Sequence, residues 1–387
     1  MPTLQEVQRQ FEIEQTSGKA PVDASDLPRS YEEVNPQWLT AVLCLNYPGA
    51  VVEDLELGPT DEGTSNRRAI RLTYNESGRQ AGLPERIFCK ATQTFQSRFV
   101  LGFNRGAETE VIFYNKVRDQ LDLEAPKSRF ANINRETLNS IVILEDIADQ
   151  VRFCDETTDI SRARAESQIQ LIAKLHSTLY ESSQLDSELA DLSSVNQFYD
   201  ATCEVFGWQS AAENGVLASE SFMPASVFAR KEEIWPATHF VYQLHLSLPR
   251  TFTHGDVHLK NWYITASDDM GLQDWQCAAV GHWSRDLAYV ISTALSIENR
   301  RAWERELLAL YIDRMKAGGV EMPDWDEVFT RYRQQMLPAL AMWTATLTPP
   351  EDAPEMQPPA TSIKFIRRMS QAMEDLDSLD ACASGSA

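Results

Sequence analysis

Strand signals occupy Val51–Leu57, and Arg68–Tyr74 alternates apolar and polar positions with period two. Between them runs GPTDEGTSNR, Gly58 to Arg67, rich in glycine and small polar residues. The pattern predicts two strands joined by a hairpin. Arg86–Lys90 reads as a further strand ending on Lys90, and Asn139–Leu144 as a short apolar strand followed by Glu145, Asp146 and Ile147. Gly106–Val117 reads as a helix. Ahead of the strands, Asn35 and Pro36 predict a helix start, with Pro36 in the first helical position, and Tyr47-Pro48-Gly49 ends it. Residues 1–29 are polar and punctuated by proline, and read as a loosely packed arm.

From Ser161 the period lengthens to three or four. Ser161 can cap a helix whose apolar stripe is Ile169, Ile172, Leu175 or His176, and Leu179, with His176 packed in a core or cleft wall. Residues 184–250 are mostly helical, and Leu248–Thr253 leads as a strand into a polar loop. Trp262–Thr265 and Gly271–Gln273, with a turn at Ser267-Asp268-Asp269, predict a short hairpin. A helix from Asn299 to Met315 ends at Gly318-Gly319. Another begins at Asp324 with Glu327 three residues on, and carries Phe329, Met336, Leu340 and Trp343. Thr348–Ala360 holds five prolines in thirteen residues and reads as an extended linker or lid-like loop. A last helix follows from about Ser362, and the tail from Asp380 is expected to be disordered.

Composition changes this picture little. With 387 residues, 43% hydrophobic and 24% charged, the chain has the length for two domains of ordinary soluble composition. The net charge of −22 opposes nucleic acid or an anionic membrane as partner. Six cysteines without a CxxC pair fit a reducing cytoplasm better than a disulfide framework or a zinc site. The charged start, MPTLQEVQRQFEIEQ, is not that of a signal peptide, and no apolar run approaches membrane-spanning length. A cytoplasmic monomer or homodimer is the expectation.

The chemistry concentrates in THGDVHLKNWYITASDDMGLQDWQ, Thr253 to Gln276. Phosphoryl transfer needs a carboxylate to orient and deprotonate an attacking hydroxyl, and oxygen ligands for Mg²⁺ against the phosphates. Asp256 and Asn261 have four residues between them, the spacing of the catalytic loop of protein kinases, and Asp274 follows at a hairpin's distance. That pattern assigns Asp256 as catalytic base, and Asn261 and Asp274 as metal ligands. A second reading uses the alternation His254, Asp256, His258 to chelate the ion of a metal-dependent hydrolase. A third keeps the fold as an inactive ATP-binding module. HExxH, GxSxG and GxxxxGK[ST] are absent from the sequence.

HGDVHLKN followed by LQDW resembles the aminoglycoside phosphotransferase and choline kinase superfamily, and GHWSRDLAY is most similar to its ecdysteroid-kinase-like and related bacterial branches. The resemblance extends in weaker form from about Val51 to Leu310. It implies an α+β, bilobal protein-kinase-like fold: a small lobe with a mainly antiparallel sheet, a larger helical lobe, and ATP in the cleft between them. Expected boundaries are 1–47 for the arm and first helix, 48–147 for the small lobe, 148–379 for the helical lobe and 380–387 for the tail. In such a fold the hairpin tip at Gly63, Thr64, Ser65 and Asn66 would cover the phosphates. Lys90 would pair with phosphate oxygens, held by Glu110 rather than Glu108. Backbone at Glu145 to Ile147 would meet adenine, and Asp286 would brace the catalytic loop by accepting its backbone N–H groups. ATP and Mg²⁺ are the implied cofactors, and a small-molecule hydroxyl the acceptor.

Eight of the nine tryptophans follow residue 200, and Trp262, Trp275 and Trp283 crowd the motif. They suit either an apolar acceptor (an alcohol, a steroid-like compound, a hydroxyacyl thioester) or the packing of a helical core. An aminoglycoside or other antibiotic is the alternative acceptor.

Overall fold

The structure, a computed structural model, describes residues 3–17, 19–350 and 356–383. The chain divides into two compact units of an α+β fold. The smaller comprises residues up to Gln120 together with Pro126–Asp149, and the larger comprises Leu121–Ala125 together with the residues from Gln150 on.

In chain order the small unit contains α1 (Leu4–Ser17), α2 (Pro36–Leu43), β1 (Val52–Glu62), β2 (Asn66–Tyr74), α3 (Glu76–Gln80), β3 (Arg86–Ala91), α4 (Phe95–Phe103), α5 (Gly106–Ile112), β4 (Ser128–Ile133) and β5 (Ser140–Glu145). The strands form one antiparallel sheet in the order β1-β2-β3-β5-β4. Helix α2 starts as its sequence dictates: the Asn35 side chain accepts from the backbone N–H of Trp38 at 3.0 Å, and Pro36 fills the first turn. Its apolar face buries Trp38 and Leu39 in one cluster with Ile70, Leu72, Ile87 and Ile143 of the sheet.

Three expectations change here. The arm is not loose, because α1 lies on α4: Phe11 meets Phe95 with ring centroids 6.1 Å apart, and Glu14 pairs with the fully buried Arg98 at 2.6 Å. The residues after it are anchored as well, since the Trp38 indole donates to the carbonyl of Asp26 at 3.0 Å. The hairpin tip is shorter than Gly58–Arg67, with Glu62 already opposite Asn66 in the ladder and only three residues left for the turn. The helix expected over Gly106–Val117 is α5 followed by a wider turn, Phe113–Val117.

The large unit contains β6 (Arg152–Phe153), α6 (Arg162–Thr178), α7 (Val195–Phe206), α8 (Trp208–Ala218), α9 (Ala225–Phe228), α10 (Lys231–Leu244), β7 (Thr251–Thr253), β8 (Trp262–Ile264), β9 (Met270–Leu272), β10 (Ala279–Gly281), α11 (Ser284–Ala294), α12 (Ile297–Ala317), α13 (Trp325–Gln334), α14 (Met336–Leu347), α15 (Pro359–Asp375) and α16 (Ser378–Ala383). Two small sheets, β10-β7 and β6-β8-β9, flank the Asp256 loop.

The single helix expected from Asp324 through Trp343 breaks at Gln335 into α13 and α14. Pro338 explains the break, because in a continuous helix its ring would collide with the carbonyl of residue 334. The tail is ordered further than expected: α16 buries Ala381 and Cys382, and Gln334 Nε2 donates to the carbonyl of Ala381 at 2.9 Å. Residues 384–387, and 351–355 of the proline-rich stretch, lie outside the described residues, while Pro359 and Ala360 open α15. Among the described residues no helix is long and apolar enough to cross a membrane.

Candidate active site

The chain leaves β7 at Thr253 and turns sharply at Gly255, whose φ of +80° favours glycine. A Cβ there would sit 2.2 Å from the carbonyl oxygen of Cys277 and 2.6 Å from Arg285 Nη1, so no side chain fits. Asp286, in the first turn of α11, accepts from the backbone N–H of His254 at 2.6 Å and of Gly255 at 2.9 Å. Burial opposes its charge, but the hydrogen bond from His176, with His254 and Arg285 nearby, holds its carboxyl below the usual range. The brace read from GHWSRDLAY is therefore present. His176 is fully buried, its Nε2 3.2 Å from Asp286 and its Nδ1 2.7 Å from the Tyr311 hydroxyl.

This bracing presents Asp256. Asn261, at the end of a short 3₁₀ turn, donates its amide N–H₂ to the Asp256 carbonyl at 2.7 Å and to Oδ2 at 3.2 Å. His258 Nε2 lies 3.3 Å from Oδ2, and the Tyr289 hydroxyl donates to Oδ1 at 3.0 Å. Burial raises the Asp256 pKa, but His258, His254 and the Tyr289 hydrogen bond outweigh it and hold the carboxyl at about 2. The group is anionic at neutral pH, and its side chain is 22% exposed among neighbours that are closed off.

Asp274 follows β9 in the left-handed region, φ 65°. Its neighbour Gln273 donates its backbone N–H to the Asn261 carbonyl at 2.9 Å, which places the two predicted ligand positions side by side in space. The donor set fits a hard divalent cation. The Asn261 nitrogen is engaged by Asp256, which leaves its amide oxygen, and Asp274 supplies a carboxylate. Among the described residues no three His, Cys, Asp or Glu side chains form a metal cage. A cation at Asn261 and Asp274 would complete its shell with phosphate and water, as Mg²⁺ ordinarily does.

The hydrolase reading fails on the same geometry. His254 Nε2 lies 3.0 Å from the Gln273 carbonyl, and its Nδ1 accepts from the backbone N–H of Asp256 at 3.2 Å. Both ring nitrogens are occupied, so His254 cannot complete a His-Asp-His ligand set.

In the small unit, Lys90 Nζ meets Glu110 Oε1 at 2.6 Å, with side chains 8% and 3% exposed. Glu108, the alternative partner, is held by Arg105 and Arg135 at 2.9 and 2.6 Å. At the hairpin tip the Gly63 N–H donates to the Ser65 carbonyl, and Ser65 is buried. Asn66 has structural work instead: its Oδ1 accepts from the backbone of Gln93 and Thr94 and from Ser97 Oγ, fixing the start of α4. The Glu145 side chain pairs with Arg129 and its N–H donates to the Lys127 carbonyl. Ile147 is half-buried and has no backbone hydrogen bond among the described residues.

Trp262, Trp275 and Trp283 are fully buried. They pack the core behind the loop, which removes the support they lent to an apolar acceptor. Sequence reasoning missed Tyr289 and Trp343, the second of which donates its indole N–H to the Tyr289 hydroxyl at 2.8 Å. The signal for Tyr289 was its place three residues after Asp286, on the same helical face; Trp343, 54 residues on, had none.

Residues 138–328 match the phosphotransferase enzyme family. Among solved structures, a Ralstonia eutropha JMP134 protein provisionally named an aminoglycoside phosphotransferase shares 14% identity and a TM-score of 0.50, covering 88% of this chain and 96% of its own. A spectinomycin phosphotransferase solved with ADP and spectinomycin shares 12% identity and a TM-score of 0.47, covering 89% of this chain and 99% of its own. Plasmodium vivax ethanolamine kinase shares 12% identity and a TM-score of 0.44, covering 84% and 81%. No curated protein matches the chain.

Proposed function

We propose that this chain, whose residues 138–328 match the phosphotransferase enzyme family, transfers the γ-phosphoryl group of ATP to a hydroxyl of a small molecule. The observation that carries this reading is the braced loop, in which an anionic, partly exposed Asp256 is fixed by Asn261 while Asp286 holds the backbone beneath it.

In the large unit, Asp256 would accept the hydrogen bond of the acceptor hydroxyl and turn its oxygen toward the γ-phosphorus. A carboxylate with a pKa near 2 is a weak base, so its first task is orientation. In a loose transition state the proton leaves late, when the attacking oxygen has become acidic enough to release it to Asp256. The new O–P bond forms as the bond from the γ-phosphorus to the β–γ bridging oxygen breaks, giving ADP, the phosphate ester and a proton that passes from Asp256 to water. Asn261 and Asp274 would hold Mg²⁺, which when bound neutralises charge on the phosphate oxygens.

In the small unit, Lys90 would donate to phosphate oxygens. Glu110, 2.6 Å from its Nζ, holds the ammonium in place. The backbone N–H groups of Thr64 and Ser65 would cover the phosphates, and the main chain from Glu145 to Ile147 would meet the edge of an adenine ring. Asn66 contributes only through the backbone it fixes.

The test is ADP release from Mg–ATP over pooled hydroxylated metabolites, comparing the wild type with Asp256→Asn. Turnover should fall by roughly 10²–10⁴. Near-wild-type turnover in that variant refutes the assignment.

A further inference from the structure

Helix α11 grips the loop twice. Asp286 takes the backbone N–H groups of His254 and Gly255, and one turn further on the Tyr289 hydroxyl reaches the side chain of the next residue, Asp256. Three consecutive loop residues are thus held by two positions on one helical face.

The direction of the second grip is set by chemistry. Trp343 Nε1 lies 2.8 Å from the Tyr289 oxygen, and an indole N–H can only donate. The Tyr289 oxygen is therefore an acceptor on that side, and its one proton points to Asp256 Oδ1. Tyr289 and Trp343 are 2% and 3% exposed, so water cannot replace either partner.

A carboxylate offers about four lone-pair sites. Asn261 and His258 approach those of Oδ2, and Tyr289 takes one on Oδ1. One site on Oδ1 remains on a side chain that is partly exposed.

We propose that Tyr289, oriented by Trp343, is a positioning residue for phosphoryl transfer: it fixes the rotamer of Asp256 and leaves a single Oδ1 lone pair to receive the acceptor hydroxyl. The assignment rests on the reading of Asp256 given above. A residue that merely filled the core would place its ring in the same space, but it would have no need of the directed chain from Trp343.

Tyr289→Phe keeps the ring and removes one link, and Trp343→Phe removes the other together with part of the indole's volume. Full-length variants, alone and combined with Asp256→Asn, are assayed by ADP release from Mg–ATP, with water as acceptor and then with pooled hydroxylated metabolites. Removing a hydrogen bond to a charged group should cut kcat by about tenfold to a hundredfold in Tyr289→Phe, with KM for ATP changed by less than about twofold. Trp343→Phe leaves the Tyr289 proton in place but free to rotate, and should cost less, about threefold to tenfold. In the Asp256→Asn background Tyr289→Phe should add less than about twofold, because its effect passes through the missing carboxylate.

Wild-type kcat in Tyr289→Phe overturns the proposal. So does a full multiplicative loss on top of Asp256→Asn, which is how a general packing defect behaves. Should Tyr289→Phe fail to fold, the same two criteria apply to Trp343→Phe. Wild-type turnover in Asp256→Asn alone is a different result, which removes the base assignment itself, and a wild type without turnover sinks both.

Discussion

Asp286→Asn weakens the brace beneath the loop, and its contact with His176, with almost no change of shape. In the native protein Oδ2 accepts from the His254 N–H at 2.6 Å and Oδ1 from the Gly255 N–H at 2.9 Å, in a fully buried setting. An amide has one oxygen. Whichever way it turns, one of the two backbone N–H groups meets an N–H₂ donor and loses its acceptor. A buried donor left unpaired costs about 1–3 kcal/mol. The surviving bond also loses its charge assistance, roughly half of its strength, or about 1 kcal/mol. The sum is about 2–4 kcal/mol of local stability, and Asp286→Ala, which removes both acceptors, should cost more. Two assays read this. Hydrogen exchange of a peptide covering Thr253–Asp256 should lose protection, and urea unfolding followed by tryptophan fluorescence should move to lower midpoints in the order wild type, Asn, Ala. Turnover should fall with it, because the loop that aims Asp256 is the part loosened. Unchanged exchange at His254 and Gly255, with a midpoint equal to wild type, would refute the reasoning.

Two further outcomes follow from buried charge. Glu110→Gln takes the carboxylate away from a Lys90 ammonium at 8% exposure, and should lower stability by about 3–5 kcal/mol while raising KM for ATP. Lys90→Met with Glu110→Leu should regain most of that stability but not the activity; thermal melts beside ADP release decide it, and a double variant as unstable as the single one contradicts the account. The second outcome concerns acid. Burial, with Arg285 nearby, holds the His245 pKa down at about 3, and burial holds His282 well below its usual value. Below pH 6.5 the unfolded chain binds protons that the folded one refuses, so stability is full above 6.5 and falls toward pH 3. At pH 5 His245 alone removes about 2 kcal/mol. Urea midpoints from pH 7 to 5 should fall, and His245→Gln should flatten the slope; equal slopes would argue against this origin.

Local chemistry explains which parts of the molecule were legible in the sequence. The α2 cap at Asn35, the Ser161 cap of α6, the Asp324 cap of α13 and the β8–β9 hairpin are each written within a few residues, and they formed where expected. The Asp286 brace was legible because motif and helix start coincide. The misses depend on partners far away in the chain. Helix α1 looked like a polar arm because what holds it, Arg98 and Phe95 on α4, lies about eighty residues on. The tail from Asp380 looked disordered because its contacts are with Gln334 and Arg230. Asn66 carried the right residue type for a phosphate loop, but only the folded chain brings Gln93, Thr94 and Ser97 to its oxygen. The break at Gln335 was the avoidable error, since Pro338 announces it.

The three indoles behind the loop decide where retargeting of this protein could begin. Because Trp262, Trp275 and Trp283 are sealed within the large unit, trimming any of them would open a void under the reacting groups and widen no entrance. A designer seeking a new acceptor would leave these rings alone and vary residues that meet solvent.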